Sequence, residues 1–210
     1  MVSEVKIRKY INDKVLEEDD TVVDEHKVNI FINGEYYDSL TCLRRDLDEL
    51  AVGRLFSEGV IGDGLDGNKL PEIKSRLTVS PDEVVKMAAA FNGKSELFQK
   101  TGAVHCCSLI FPDGANLFYE DILRHNAIDK AIGKALIEGR CMENGILLTS
   151  GRISSEILIK AARFSIPIII SISAPTNTAV GIAEKINMTL IGFARDGRFN
   201  VYSGGQRILS

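Results

Sequence analysis

The sequence predicts an α/β fold, with an α/β domain over residues 101–210 after a smaller α+β portion over residues 1–100. The first part of this prediction rests on three short apolar runs at 145–150, 168–173 and 189–193, separated by segments with helical spacing. Short strands joined by single helices pair in parallel through right-handed crossovers. The second part rests on residues 1–42, where charged and apolar positions alternate, as is typical of antiparallel strands.

Composition excludes several classes of protein. With 45% hydrophobic residues the 210-residue chain can bury a core, and its net charge of −4 gives no overall attraction for nucleic acid or an anionic membrane. The charged N-terminus lacks the apolar stretch of a signal peptide, and no run approaches the roughly 18 apolar residues of a membrane span, so we expect a cytoplasmic protein. Because the net charge is negative, any site for an anion must be formed by a local group of basic residues and helix ends.

Known metal and nucleotide motifs are missing from the sequence. The four cysteines form no Cys-x-x-Cys pair, and neither a Walker A loop, a Rossmann fingerprint nor the His-x-Glu and Pro-Cys-x-x-Cys signature of zinc deaminases is present. Glycines and acidic residues at 62–68 lack the ligand order of an EF-hand, so we interpret them as a plain loop. We expect no intrinsic metal.

The N-terminal portion should contain a hairpin and two helices. A strand over 27–32 enters the tight turn of Asn33-Gly34. A helix over 46–58 ends before Gly59, and a second begins at Ser80-Pro81-Asp82-Glu83, which forms a capping box with proline at the first helical position, and runs to about Phe91.

The following segment predicts a second hairpin and another helix. The stretches 104–111 and 115–119 flank the turn Pro112-Asp113-Gly114. A helix should then cover roughly 126–138, with Gly139 as its stop.

Polar residues end each of the three α/β strands and point to a shared anion site. The strands are followed by Arg152, Thr176 and Arg195, and the next helices begin near Ser154 or Ser155 and at Thr176. Carboxyl ends of parallel strands face one crevice, where helix N-termini and arginines attract phosphate. The competing interpretation is that the hydroxyls only cap helices and the arginines are solvated; repetition at three strand ends favours the anion site.

Titratable residues also cluster at 120–130, at the start of the next helix. Helical spacing makes His125 a neighbour of Asp129, and Asn126 a neighbour of Lys130, so one face offers donors and acceptors; a solvated helix start would show the same pattern. His105, taken alone, is better explained as a hydrogen-bonded core histidine.

Two adjacent cysteines in a predicted strand are candidate nucleophiles. Cys106 and Cys107 must point to opposite faces, so at most one reaches the crevice. His105, Arg124 and His125 could lower the pKa of a nearby thiol, although an inert buried cysteine is the commoner case.

Several ordered motifs together resemble one known family. They are Leu50-Ala51-Val52-Gly53, Phe56-Ser57-Glu58-Gly59, Thr101-Gly102-Ala103-Val104-His105, Arg124-His125-Asn126-Ala127-Ile128-Asp129-Lys130, Ser150-Gly151-Arg152-Ile153-Ser154-Ser155-Glu156, Ser171-Ile172-Ser173-Ala174-Pro175-Thr176 and Leu190-Ile191-Gly192-Phe193-Ala194-Arg195. In this order, over most of residues 28–208, they closely resemble the FdhD family of formate dehydrogenase accessory sulfurtransferases.

The resemblance implies a cytidine-deaminase-like mixed sheet without the catalytic zinc, and a homodimer. It further implies that the protein takes sulfur from a cysteine desulfurase and helps to sulfurate the bis-molybdopterin guanine dinucleotide cofactor of formate dehydrogenase, which it binds through its guanine nucleotide and phosphates. The cofactor-binding residues carried over from the family or expected at the crevice are His105, Arg124, His125, Asn126, Asp129, Ser150, Arg152, Ser173, Thr176, Phe193, Ala194, Arg195, Asp196, Gly197 and Arg198.

The chain departs from the family at the sulfur carrier. Family members have a Cys-Gly-x-Cys-Gly loop after the Ser-Glu-Gly helix, whereas here no cysteine lies between Gly59 and Thr101. Smaller departures are Ala103 and Leu123 in place of glycines, and Cys106-Cys107 in place of small apolar residues. Either Cys106 or Cys107 has taken over the persulfide, or the protein binds cofactor without transferring sulfur; a chaperone that has lost both activities is a third hypothesis.

Overall fold

The computed structural model describes residues 1–61 and 70–209. In chain order the strands are β1 (Val2–Ile11), β2 (Lys14–Val23), β3 (His26–Ile32), β4 (Glu35–Cys42), β5 (His105–Ile110), β6 (Asn116–Asp121), β7 (Ile146–Thr149), β8 (Ile168–Ser171), β9 (Thr189–Arg195) and β10 (Arg198–Ser203). The α-helices are α1 (Leu47–Ser57), α2 (Pro81–Asn92), α3 (Glu96–Thr101), α4 (Arg124–Ile137), α5 (Ser155–Arg163) and α6 (Asn177–Lys185).

A six-stranded mixed sheet organises the molecule, in the order β10-β9-β8-β7-β5-β6. Strands β7, β8 and β9 are parallel, whereas β5, β6 and β10 pair antiparallel with their neighbours. The α/β class expected from the sequence is therefore confirmed, as is the parallel pairing of its three apolar runs.

Both faces of the sheet are covered, and every residue of the central strands β7 and β8 is buried. Leu147, Ile169 and Leu190 face a core formed with α4, α5 and α6. Leu148 and Ile170 face the other core, which is completed by Val84, Ala88 and Phe91 of α2. Since α2 lies in the N-terminal portion, that portion contributes directly to the cover of the sheet; the division at residue 100 stays a prediction.

Helix α1 crosses α4 at unusually short range through two glycines. A Cβ atom on Gly53 would lie 1.9 Å from the carbonyl oxygen of Asp129, and one on Gly133 would lie 1.9 Å from that of Glu49. Only glycine permits this backbone approach. The crossing holds α1 against the main sheet domain, and the β3–β4 hairpin packs on α1 through Ile30 and Leu40.

The N-terminal strands form two separate hairpins, which confirms their antiparallel assignment. In β3–β4 the turn residues Asn33 and Gly34 both have positive φ, at 52° and 87°, as the sequence pair predicted. The β1–β2 hairpin pairs over ten residues on each strand and forms a sheet of its own.

Helix boundaries follow the sequence signals with small differences. Ser80 Oγ accepts from Glu83 N and the Glu83 carboxylate accepts from Ser80 N, so the capping box is confirmed. Helix α4 begins at Arg124 rather than Asn126, and its cap residue Leu123 is extended and provides no side-chain cap. The predicted loop at 62–68 lies outside the described residues.

Candidate functional site

Element ends converge at one edge of the sheet, as the sequence predicted. The parallel strands β7, β8 and β9 all end at this edge. The antiparallel strand β5 begins at the same edge with His105, and because His105 pairs with Asp121, the last residue of β6, strand β6 also ends at it. Helices α4, α5 and α6 start at the same edge, since each follows one of these strand ends. We call this region the strand-tip edge; its residues are His105, Arg124, Ser150, Gly151, Arg152, Ser173, Thr176, Phe193 and Arg195.

One half of the strand-tip edge is built around Ser150. Its backbone N–H donates to the Cys106 carbonyl at 3.0 Å, its Oγ accepts from Cys106 N at 2.9 Å, and His105 Nδ1 lies 3.3 Å from that Oγ. A Cβ on Gly151 would come within 3.0 Å of the Arg124 side chain, so glycine lets Arg124 lie across the end of β7. His105, Arg124 and Ser150 are thus brought together.

The other half joins the loops after β7, β8 and β9. Ile153 N donates to Ala174 O at 3.1 Å and Thr176 N donates to Ile153 O at 3.0 Å, while Phe193 N donates to Ser173 O at 2.9 Å. These bonds place Arg152 and Thr176 on adjacent connections. Both side chains are exposed, as is Arg195 two residues beyond Phe193.

The two helix starts at this edge differ in capping. Thr176 Oγ accepts from Ala179 N at 3.3 Å and caps α6, as expected. Ser154 occupies the cap position of α5, but neither its side chain nor that of Ser155 caps the helix, so that part of the prediction is wrong. The first N–H groups of α5 therefore lack a side-chain acceptor in the described structure, which leaves them available to an anion.

Both histidines at the site are held neutral. Burial, followed by the charge of Arg124, lowers the pKa of His105. Burial lowers the pKa of His125 to about 4, with Lys160 and Arg124 adding to the effect and Glu156 opposing it. Near pH 7 each imidazole can therefore both donate and accept a hydrogen bond.

A cavity of about 680 Å³ lies beside the strand-tip edge, between β4, α1, α4 and α5. We call it the side cavity. Its lining residues are Ser39, Leu40, Thr41, Arg54, Ser57, Glu58, Leu123, His125, Asn126, Glu156, Ile159, Lys160 and Arg163. His125 connects it to the edge because it follows Arg124 in the first turn of α4. The volume is in the range of roughly 300–1,000 Å³ found for small-molecule pockets.

Sequence reasoning missed the side chains from α1 and α5 that line this cavity. Arg54 pairs with Asp38 at 3.2 Å and Glu58 at 2.7 Å, and the Arg163 guanidinium donates to the Ser57 carbonyl. The motif Phe56-Ser57-Glu58-Gly59 was a signal for two of the lining residues. Nothing local marks Lys160 or Arg163, which belong to a helix about a hundred residues away from α1.

Asp129 does not line the site, contrary to expectation. It is fully buried, with its carboxylate 2.5 Å from Lys160 Nζ and accepting from Ser57 Oγ at 2.8 Å. Burial raises its pKa, while Lys160 and Ser57 oppose that rise. Asn126 is also buried: it contributes to the cavity wall, but its amide donates to Thr41 O and Asp121 Oδ1. These groups join elements rather than present free donors and acceptors.

The segment from Ala194 to Arg198 forms the end of β9 and the turn into β10. Ala194 is buried against α2, so its side chain faces away from any ligand at the edge. Asp196, Gly197 and Arg198 are exposed, and the adjoining cavity between this turn and α2 holds only about 40 Å³. The space beneath this turn is therefore too small for a drug-sized or nucleotide-sized molecule.

Neither candidate nucleophile has the properties of a sulfur carrier. Cys106 and Cys107 face opposite cores, as strand alternation predicts, and both are buried. Burial raises the pKa of Cys106 to about 11 and that of Cys107 well above the ordinary value. His105 and Arg124-His125 therefore do not provide the lowered thiol pKa that was considered. Cys141 is exposed, but it precedes β7 and so lies at the opposite edge of the sheet.

No helix within 1–61 and 70–209 is long and apolar enough to cross a bilayer. Over the same residues, no group of three or more His, Cys, Asp or Glu side chains is arranged to hold a metal ion.

Comparison with known proteins places this geometry in a family. Residues 63–209 match the model of the FdhD/NarQ family. The chain is 37% identical to "Protein FdhD" of Methanocaldococcus jannaschii, covering 98% of each chain. It is 31% identical to "Sulfur carrier protein FdhD" of Halalkalibacterium halodurans, covering 98% of this chain and 94% of that protein. That alignment spans 255 residues, more than the 210 of this chain, so the relative carries inserted residues.

A solved structure agrees with the sequence matches. The crystal structure of a putative formate dehydrogenase accessory protein from Desulfotalea psychrophila superposes with a TM-score of 0.88 at 27% identity, covering 99% of both chains. The similarity therefore includes the N-terminal hairpins as well as the main sheet.

Proposed function

Because the chain belongs to the FdhD/NarQ family, we propose that it is a formate dehydrogenase accessory protein whose strand-tip edge binds the guanine-nucleotide end of the bis-molybdopterin guanine dinucleotide cofactor. One observation carries this proposal: exposed Arg152 and Thr176 follow β7 and β8, and exposed Arg195 ends the adjacent parallel strand β9, next to the start of α5, which has no side-chain cap. Arginine side chains and free helix N–H groups together suit a phosphate or pyrophosphate.

Each part of the site has a distinct role in this proposal. Arg152, Thr176 and Arg195 contact phosphate, and the neutral His105 and His125 donate to or accept from groups that carry no charge. The aliphatic part of the Arg124 side chain lies across Gly151, and its charge adds to the attraction for phosphate at the strand-tip edge. The molybdenum cofactor is cargo here, handed on to the client enzyme rather than retained.

Calorimetric titration with guanosine diphosphate tests the anion site. Arg152→Ala and Arg195→Ala should each weaken binding by about 1–3 kcal/mol, the scale of a lost charge-assisted hydrogen bond. Arg140→Ala is the matched control, because Arg140 pairs with Asp113 and Glu138 after α4, far from the strand tips. Unchanged affinity in both edge variants, or an equal loss in Arg140→Ala, would reject the site.

A second candidate function follows from the buried thiols: a cofactor-binding chaperone that has lost sulfur transfer. A persulfide carrier needs an accessible thiolate, and Cys106 and Cys107 have raised pKa values inside two cores. Incubation with a cysteine desulfurase and cysteine, followed by peptide mass mapping, should find no thiol in that pair that has gained about 32 Da. A persulfide on either residue would restore the sulfurtransferase role, while one on Cys141 would place it away from the strand-tip edge.

The partners in this proposal come from family membership. They are formate dehydrogenase as the client, a cysteine desulfurase if transfer survives, and a second copy of the chain in a homodimer, all in the cytoplasm. No nucleic acid or membrane is included as a partner, in keeping with the net charge of −4.

A further inference from the structure

The β1–β2 hairpin stands apart from the cores and is the most exposed regular element of the described structure. Every residue of β1, and every residue of β2 from Lys14 to Asp20, is exposed, except Ile7, which is half-buried. Its base is held by the bond from Asp24 N to Met1 O, and β2 contacts α3. A two-stranded hairpin is at best marginally stable alone in water, so a hairpin of this length gains from a surface that covers it.

The register sorts the side chains of the hairpin into two unlike faces. One face carries two cross-strand ion pairs, Lys6 with Asp19 at 3.3 Å and Arg8 with Glu17 at 3.4 Å, and it has apolar side chains only on its two end pairs, Val2 with Val23 and Tyr10 with Val15. The other face, which we call the apolar face, carries an aliphatic row; its members are Val5, Ile7, Ile11, Leu16 and Val22. Four of these five are 37–46% exposed, so the row forms one apolar strip in contact with solvent.

Charges on the apolar face are arranged by sign along its length. The Val5–Asp20 rung lies toward the base, and the Ile11–Lys14 rung lies at the tip. Between them, Lys9 pairs with Glu18 at 2.8 Å. Asp20 and Lys14 form no ion pair with any residue that the structure describes, so one carboxylate and one ammonium remain at opposite ends of the same strip.

The outer cross-strand pairs of this face are complementary under one twofold operation, while the inner Lys9–Glu18 ion pair of each copy then packs over Ile7 and Leu16 of the other. When two apolar faces stack with a twofold axis along the direction of the ladder hydrogen bonds, strands of the two copies run antiparallel. The Val5–Asp20 rung of each copy then lies over the Ile11–Lys14 rung of the other, with aliphatic side chains in contact and carboxylate over ammonium. Closed homodimers use such isologous, self-complementary patches.

We propose that the apolar face of the β1–β2 hairpin packs on the same face of a second copy of this chain, about that twofold axis. The homodimer of the proposed function rests on family membership, whereas this surface rests on the register and charges of the hairpin. Ten residues at ~3.4 Å and two strands ~4.8 Å apart give on the order of 700 Å² for the two faces, below the roughly 1,200 Å² of stable interfaces. The hairpin contact therefore gives a weak dimer when it acts alone.

Charge reversal tests the surface, with sedimentation velocity as the measurement. The wild type should dimerise as concentration rises from about 1 to about 100 µM. Asp20→Lys places lysine over Lys14 of the other copy, and Lys14→Asp places aspartate over Asp20, so each should raise the dimer dissociation constant at least about tenfold. An equimolar mixture of the two variants should recover association as a heterodimer, and the double variant should recover the homodimer.

Asp19→Lys is the matched control, because it makes the same charge change one residue away on the opposite face. It should leave the dissociation constant within about threefold at physiological salt, since exposed charges beyond a Debye length are screened. Circular dichroism checks that the hairpin variants remain folded. Equal losses in Asp19→Lys and Asp20→Lys, or no recovery on mixing, would overturn the proposed surface.

Other outcomes separate this proposal from the proposed function. A wild-type dimer unaffected by every hairpin variant places the interface elsewhere and leaves the homodimer standing. A wild type that stays monomeric at all concentrations rejects both the surface and the homodimer, without bearing on nucleotide binding at Arg152. If the monomer binds formate dehydrogenase and Asp20→Lys abolishes that binding, the apolar face belongs to the client and the twofold proposal fails.

Discussion

At the strand-tip edge Arg152, Thr176 and Arg195 are exposed, whereas at the start of α4 Asp129 and Lys130 are buried. In the sequence the two groups look alike, because both are polar clusters where one element gives way to the next. Among the described residues, the guanidinium groups of Arg152 and Arg195 form no hydrogen bond or ion pair, while the Thr176 hydroxyl caps α6. The charged groups of the two α4 residues are instead paired with side chains from other parts of the chain.

Partners from distant segments make the difference. Asp129 is held by Ser57 and Lys160, and Lys130 Nζ lies 2.6 Å from the buried carboxylate of Asp121. A charge can be buried only when it is paired, so these contacts must form together with the fold. The guanidinium groups of Arg152 and Arg195 receive no such partner from residues 1–61 and 70–209. A polar cluster is therefore a ligand site only where the fold leaves it unpartnered.

Breaking one buried pair should give the largest effect on stability. Lys160→Met leaves the Asp129 carboxylate buried beside Ser57 alone, and we expect a loss of about 3–5 kcal/mol in the free energy of unfolding, measured by urea denaturation. Arg152→Met removes the same charge from an exposed tip and should cost no more than about 0.5 kcal/mol.

A second variant tests whether the uncompensated charge causes that loss. Adding Asp129→Asn to Lys160→Met removes the buried carboxylate and should recover at least about half of the lost stability. Equal losses in Lys160→Met and Arg152→Met, or no recovery in the double variant, would remove the contrast between the two regions.

The glycine crossing that brings α1 onto α4 should be the next most sensitive feature. Gly53→Ala forces a methyl group against the Asp129 carbonyl, so the helices must separate, at a cost of about 2–3 kcal/mol. Gly181→Ala is the matched control in the middle of α6, where a Cβ meets nothing within 4 Å.

In that open position alanine should stabilise by about 0.5–1 kcal/mol, through its higher helix propensity. Thermal unfolding of both variants therefore gives shifts of opposite sign. A stabilising Gly53→Ala would mean that the helices are not in close contact.

The sequence was informative wherever a rule is local. The Ser80 capping box, the Asn33-Gly34 turn and the parallel pairing of β7, β8 and β9 depend on nearby residues or on the period of the apolar pattern. Convergence of the strand ends then followed from the parallel topology, and it brought Arg152 and Thr176 together.

Long-range pairing is what the sequence could not supply. Asp129 shares a helix face with His125 at the expected spacing, yet its partner Lys160 lies on α5, and the His125 ring approaches Glu156 at 3.6 Å instead. The side cavity escaped prediction for the same reason, since its walls come from four elements. Ser154 shows a smaller limit: a serine at the cap position does not guarantee the capping hydrogen bond.

The smallest expected effect concerns His125, which stands between the two regions. Its pKa falls from the ordinary 6.5 to about 4 on folding, so the unfolded chain binds the proton first and the stability that the neutral ring contributes is lost as pH falls from about 6.5 to about 4. The side chain is 24% exposed and can turn toward water, which limits the loss to about 1–2 kcal/mol.

Urea unfolding at several pH values, with His125→Asn as the reference, isolates this contribution. The stability difference between wild type and variant should shrink by that amount between pH 7.5 and pH 4, because asparagine does not titrate. Glu156→Gln removes the carboxylate that favours the protonated ring, so it should move the change to lower pH. Parallel curves for wild type and His125→Asn would mean that His125 is as open to solvent as Arg152, and the boundary between the two regions would then lie within α4, after its first turn.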